Sequence, residues 1–299
     1  MGYLYLGISL LSGAVKGYCG KKTSGCVNGY SGAMLANFIR MLLCVGIGLA
    51  MIFIGGNQEM ICPDGTLLAI SAVSGISTSV FVVCWLISVK KGAYMMLDVF
   101  LMLGVLVPIC FGRILFGEEI RSLQWLGILI LILAAFIMCL YNNFIKEKIS
   151  LSSFCMLVIC GTANGVTDLM QKLFVKQLPK IPVPVFNFYT YLFSAAVLGA
   201  FFILFHAKEK KKGETGETAG VKKMIGYIAV MSMCLFANSF FKTKAAVYLD
   251  SVQLYPLNQG LALALSTIMA AVLFHEKLTG KCVAGLMLAF AGLLCINVL

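Results

Sequence analysis

The sequence predicts an all-α integral membrane fold of ten transmembrane helices, arranged as two inverted five-helix repeats. Three observations carry this. Of 299 residues, 61% are hydrophobic and only 12% charged, against about 25% charged in soluble domains. Apolar runs long enough to cross a bilayer, roughly 20 residues each, recur ten times. The end of the first half is echoed in the second at a constant offset: Leu115-Phe116-Gly117-Glu118 against Leu273-Phe274-His275-Glu276, and Gly127 against Gly285.

The expected spans are about 3–20, 31–54, 67–89, 93–116, 122–142, 151–177, 183–206, 223–247, 252–274 and 280–299. The first lacks a basic leader and a small-residue cleavage site, so it reads as a retained span. Gly55-Gly56-Asn57 and Pro63-Asp64-Gly65 punctuate the gap after the second span, Lys90-Lys91-Gly92 the gap after the third, and Lys146-Glu147-Lys148 the gap after the fifth. Pro179, Pro182 and Pro184 mark the sixth gap. The division is 1–142 for one repeat, 143–150 for a connecting loop and 151–299 for the other, with a polar loop at about 207–222.

Five spans is an odd number, so the second repeat enters the membrane the opposite way round. Inverted repeats are a plan of secondary transporters, with the substrate site between the halves near the midplane. A weaker echo supports the pairing: Gly13-x-x-x-Gly17 against Gly161-x-x-x-Gly165, a spacing common where membrane helices pack closely.

The net charge of +11 would suggest nucleic acid in a soluble domain. Here the cations sit in short gaps between apolar runs, as in membrane proteins, and nucleic acid is excluded as a partner. Most of the twelve cysteines, such as Cys44, Cys84, Cys139, Cys160, Cys234 and Cys295, lie inside apolar runs without metal spacing. Only Cys19, Cys26 and Cys62 look close to loops.

The ten spans and the repeated Leu-Phe-x-Glu, carried by Leu103–Gly127 and Gln259–Gly285, resemble the drug/metabolite transporter superfamily, EamA type. That resemblance implies a carrier for a small metabolite, with peripheral fifth and tenth helices and the other eight around a central cavity. Two departures are those of a divergent branch: Pro108 lies close to Glu118, and the second repeat has Pro256 far upstream instead.

Charges inside a span are costly and normally face a cavity or a partner. Span six carries Asn164, Thr167, Asp168, Gln171 and Lys172 at helical spacing, one polar stripe with Gly161 and Gly165 on its side. Two readings stand: a cavity wall, or an Asp168–Lys172 pair at i, i+4 snorkelling to the membrane edge. Span one contributes Lys16, the repeat counterpart of Asn164. Span two contributes Arg40, with Asn37 one turn before it, either as a cavity cation or as a partner to an acid such as Asp98. Further candidates for substrate binding are Trp85, Tyr94, Asp98, Asn187, Asn238, Lys242, Tyr255, Asn258 and Gln259. Lys16, Arg40, Lys172 and Lys242 outnumber Asp98 and Asp168, which leans toward an anionic or zwitterionic substrate.

Spans five and ten hold no charge between 126 and 140 or between 283 and 295. Gly285, Ala289 and Gly292 line one face of the tenth, suited to close packing or to a homodimer through helices five and ten.

An enzyme is not expected. His206 and His275 are the only histidines, each at a span edge, and Leu97-Asp98 and Leu249-Asp250 lack an accompanying Gly-x-Gly-Asp. No phosphate loop or soluble nucleotide-hydrolysing domain is present. No cofactor or metal site is expected. The leading expectation is a gradient- or exchange-driven transporter in the cell membrane, moving a small polar or amphipathic metabolite by alternating access, with that metabolite and the lipid bilayer as its partners. The alternatives are a flippase for a lipid or lipid-linked headgroup and a non-transporting scaffold or sensor. Orientation is left between two arguments: lysine bias puts both termini outside, the family resemblance puts them in the cytoplasm.

Overall fold

The computed structural model describes residues 1–24, 29–61, 64–90, 94–140, 151–211, 224–274 and 280–297. All the regular structure among them is helical: α1 Gly2–Ser24, α2 Gly29–Ile54, α3 Gly65–Lys90, α4 Tyr94–Gly104, α5 Leu106–Phe116, α6 Ser122–Leu140, α7 Leu151–Gln177, α8 Val183–Lys211, α9 Ile225–Tyr248, α10 Ser251–Phe274 and α11 Gly280–Asn297, with one 3-10 turn at Gln58–Ile61. The loop at 143–150, most of the polar loop, His275, Glu276, Cys26 and Cys62 lie outside the described residues.

These helices make ten spans, because α4 and α5 together form the fourth. The expected single helix at 93–116 is broken at Val105. Pro108 supplies the reason: it has no N–H, and its ring crowds the carbonyl four residues earlier, at Gly104. Five helices, 31–54, 65–88, 183–207, 225–248 and 251–273, are long and apolar enough to cross a membrane on composition alone. The long helices α1 and α7 are not in that set. They are repeat counterparts, and both carry polar side chains of the interior, Ser9 and Lys16 on α1 and Asn164, Asp168, Gln171 and Lys172 on α7.

The packing scheme maps onto itself when the halves are exchanged. Helix α1 packs on α9, and its counterpart α7 packs on α3. Helices α2 and α8 pack on each other, as do α6 and α11. The crossing of α4 with α7 answers that of α10 with α1. An odd number of spans per half makes this exchange an inversion across the membrane.

At the α4–α7 crossing the two backbones touch. A Cβ built on Gly161 would lie 2.1 Å from Phe100 O, one on Gly104 2.1 Å from Gly161 O, and one on Gly165 2.2 Å from Gly104 O. Only glycine permits this approach. The α6–α11 crossing is similar: Gly127 and Gly292 face each other's carbonyl oxygens at 2.7 and 2.9 Å from the built Cβ positions. Of the small-residue face read as suited to close packing or to a homodimer, Ala289 and Gly292 are packed within the chain.

The repeated Leu-Phe-x-Glu has a definite geometry in the first half. Gly117, at φ +64°, ends α5 in the left-handed conformation, which glycine adopts without strain. The chain then turns Glu118 back over Gly112, where a Cβ would stand 2.9 Å from Glu118 Oε2.

Candidate functional site

Among the described residues, Lys16, Arg40, Asp168, Lys172 and Lys242 are charged side chains that sit deep within the spans. Left against lipid they would cost roughly 12–18 kcal/mol together at about 2.5–3.5 each, as much as or more than a typical fold's whole stability of about 5–15 kcal/mol. Their placement is therefore an organising constraint, and all five face the interior of the bundle.

A cavity of about 100 Å³ lies where α1 and α10 cross, with walls from α3, α4, α7 and α9. Helix α1 contributes Leu10, Gly13, Ala14, Lys16 and Gly17, and α10 contributes Asn258, Gln259, Ala262, Leu265, Ser266 and Met269. Phe81 and Trp85 come from α3, Leu101 from α4, Asn164 from α7, and Asn238 and Lys242 from α9. Neither α6 nor α11 lines it, and of the eight remaining spans only six do.

Seven of the sequence candidates thus meet at one cavity: Lys16, Trp85, Asn164, Asn238, Lys242, Asn258 and Gln259. Trp85 reaches the wall because Gly20 of α1 gives its ring room; a Cβ on Gly20 would lie 2.4 Å from it. Asn238 is tied to α1, its Nδ2 donating to Ser9 O at 2.8 Å and to Ser9 Oγ at 3.0 Å. Asn164 Nδ2 and Asn258 Oδ1 are buried and have no hydrogen-bond partner. Lys16 has no ion-pair partner among the described residues, and Arg40, Lys242 and Asp168 lie within electrostatic reach of it.

Behind the wall, Asp168 is fully buried and pairs through Oδ1 with Lys242, while its Oδ2 has no partner. Tyr255 Oη donates to the Asp168 carbonyl at 2.7 Å, tying α10 to α7. Gln171 Nε2 donates to Ser239 Oγ at 3.1 Å, and Ser239 Oγ to Asn187 Oδ1 at 3.3 Å, linking α7, α9 and α8. Arg40 is buried on α2, with Nη1 on Asn37 Oδ1 at 3.1 Å and Nε unpartnered. Arg40, Asp168, Gln171, Lys172, Asn187 and Tyr255 do not line the cavity. The side chains of Tyr94 and Asp98 lie outside the described residues, although their backbone is part of α4.

Lys172 does not pair with Asp168, nor does it snorkel. It is 1% exposed, with Nζ 3.1 Å from Glu118 Oε1 and donating to Ala246 O at 3.3 Å and Leu249 O at 2.6 Å. Glu118 Oε2 in turn accepts from the Ser251 N–H at 2.9 Å. One carboxylate of the first repeat and one ammonium of the second thereby clamp the junction of α9 and α10. Each member of the i, i+4 pair finds its counter-charge elsewhere in the chain, Asp168 on α9 and Lys172 in the turn after α5. Glu118 is the residue whose role in this cluster sequence reasoning missed; the signal for it was the Glu repeated beside Phe at fixed offset.

The molecule is thus a membrane-embedded helical protein whose two inverted repeats enclose a polar cavity. Family models match residues 1–140 and 144–298, each as the EamA-like transporter family. The chain belongs to that family, within the drug/metabolite transporter superfamily. No curated protein matches the sequence. A solved structure described as "Crystal structure of protein" is similar in fold, with a TM-score of 0.68 at 16% identity, covering 99% of this chain and 96% of that one.

Proposed function

We propose that the protein is a secondary transporter that carries a small anionic metabolite across the cell membrane by alternating access. The supporting observation is the cavity between the repeats, lined by Lys16, which has no ion-pair partner among the described residues, and by two carboxamides with an atom unpartnered among them. Buried polar groups left without partners are costly, and a polar ligand is what such a site accommodates. At about 100 Å³ the cavity suits a small solute better than a lipid headgroup. Walls drawn from both halves mean that rocking one repeat against the other remodels the site. The driving force is a solute or ion gradient, or exchange.

The test is a thermal-shift screen of purified protein against a metabolite panel, with hits carried into proteoliposome uptake. A ligand at 100 times its Kd stabilises by about 2.7 kcal/mol, a readily measured shift. Stabilising small anions that accumulate inside proteoliposomes support the reading. Stabilisation only by lipids or lipid-linked headgroups, with no solute uptake, sinks it.

A further inference from the structure

The turn between α5 and α6 sorts the charged side chains in and beside it. Gly117 ends α5 in the left-handed conformation, its N–H donating to Arg113 O at 3.2 Å, and the Glu118 N–H donates to Gly112 O at 3.4 Å. Glu118, 8% exposed, is turned inward to Lys172, whereas Glu119 stays on the surface. Arg121 then opens α6: its N–H donates to Gln124 Oε1 at 3.0 Å, and its carbonyl accepts from the Gln124 N–H at 3.0 Å. Gln124 Nε2 donates to Ile296 O at 3.4 Å, which fixes that corner to α11.

A cleft of about 450 Å³ opens at this turn, lined by Arg113, Gly117, Glu118, Glu119, Ile120 and Arg121. Its volume lies inside the roughly 300–1,000 Å³ of ligand sites. Lys172 neutralises Glu118 from within. Arg113, Glu119 and Arg121 are exposed, and none of the three has an ion-pair partner among the described residues. Two guanidiniums and a carboxylate thus line one cleft without cancelling one another.

The cleft lies where the lipid-facing surface ends. Ile114 and Leu115, 75% and 52% exposed, precede it on α5, and Leu126 and Leu129, 50% and 60% exposed, follow it on α6. Such side chains on a span meet acyl chains, and the end of a span lies at the level of the headgroups. Arg113 stands in the last turn of α5, from which a long cationic side chain reaches that level. Guanidiniums take phosphate through paired N–H donors, and two of them alone would accept any phospholipid. Glu119 makes the choice narrower. A carboxylate repels an anionic headgroup, and a primary ammonium gives it N–H donors that a quaternary one lacks.

We propose that this cleft holds a membrane phospholipid with a primary-ammonium headgroup, its phosphodiester on Arg113 and Arg121 and its ammonium on Glu119. The site is separate from the cavity between the repeats and stands with or without the transport reading. A soluble phosphate ester has the same polar chemistry; the exposed apolar side chains on both sides of the cleft favour the lipid.

The experiment is native mass spectrometry of the purified full chain in detergent, titrated with phosphatidylethanolamine, phosphatidylcholine and phosphatidylglycerol of identical acyl chains. The wild type is expected to bind phosphatidylethanolamine at least about fivefold more tightly than either of the others. Soluble phosphoethanolamine at equal concentration should not displace it. Glu119→Gln should bring phosphatidylethanolamine and phosphatidylcholine to within about twofold of each other, while Arg113→Gln and Arg121→Gln should each weaken all three lipids at least about threefold. All three side chains are exposed, so lipid-free melting of the variants should stay near that of the wild type; if one arginine variant is unfolded, the other and Glu119→Gln decide. Equal binding of the ethanolamine and choline lipids, tighter binding of phosphatidylglycerol, a preference that survives Glu119→Gln, or unchanged affinity in the folded arginine variants overturns the proposal. Displacement by phosphoethanolamine overturns it in favour of a soluble ester.

Discussion

The crossing of α4 with α7 and the crossing of α1 with α10 occupy equivalent places in the two halves, yet one is shut and the other holds the cavity. Gly161 and Gly165 correspond to Gly13 and Gly17 by the offset of the first spans, and Gly104 corresponds to Ala262 by the offset of the fourth and ninth. The first three are in backbone contact; the second three all line the cavity. Small residues stand at both places, so composition alone does not keep the second crossing apart. The sequences differ nearby: the counterpart of Lys172 is Ser24, so the clamp to Glu118 has no cation at the equivalent position. On the transport reading, the shut crossing and the open one are the two ends of a cycle, and the Glu118–Lys172 clamp holds the shut end.

The largest expected effect comes from breaking that clamp. Glu118→Gln leaves Lys172 buried beside carbonyls without its counter-charge, and a broken buried pair costs about 3–5 kcal/mol. The melting temperature should fall steeply, and Lys172→Gln should do the same. The double replacement Glu118→Gln with Lys172→Met should regain much of the loss, and a double variant no better than the singles would show that the pair does not act as a unit.

Next come the glycines. Gly161→Ala puts a methyl group 2.1 Å from the Phe100 carbonyl oxygen, far inside van der Waals contact, and should cost about 1–3 kcal/mol of stability or more. Gly13→Ala meets only the Asn238 amide, at 3.1 Å, and should leave melting nearly unchanged. If the α1–α10 crossing must also close during the cycle, Gly13→Leu should abolish uptake while the protein remains folded. Full uptake by that variant would break the comparison.

A smaller effect is expected at Asp168. Asp168→Asn keeps the volume but removes the counter-charge of Lys242, and uptake should fall at least about 10-fold, equivalent to about 1.4 kcal/mol in the slow step. Uptake at the wild-type rate would return Asp168 to packing.

The spans were legible because lipid demands about 20 apolar residues at a time, and the inversion because five is odd. The polar stripe of α7 was legible as inward-facing for the same energetic reason. Its partners were not. Lys242 and Glu118 lie 74 and 54 positions from Asp168 and Lys172, and spacing within one helix offers only the local pair that the fold rejects. Arg40 was read by depth as a cavity cation or a partner to an acid; it is buried on α2 and bonded to Asn37, and is not among the residues lining this cavity. Pro108 was in plain view, yet whether a membrane helix bends or breaks at proline depends on neighbours that refill the lost hydrogen bond.

The break at Val105 has a mechanical consequence. An unbroken helix over residues 94–116 would be a rigid rod of roughly 35 Å at 1.5 Å per residue, and tilting one end would swing the other. Two arms of about 16 Å each, joined at a turn, move as a jointed strut instead. The arm bearing Gly104 can lift from α7 while the arm leading to Glu118 stays anchored. Parting the backbones and releasing the ionic clamp then become separate events, each with its own barrier.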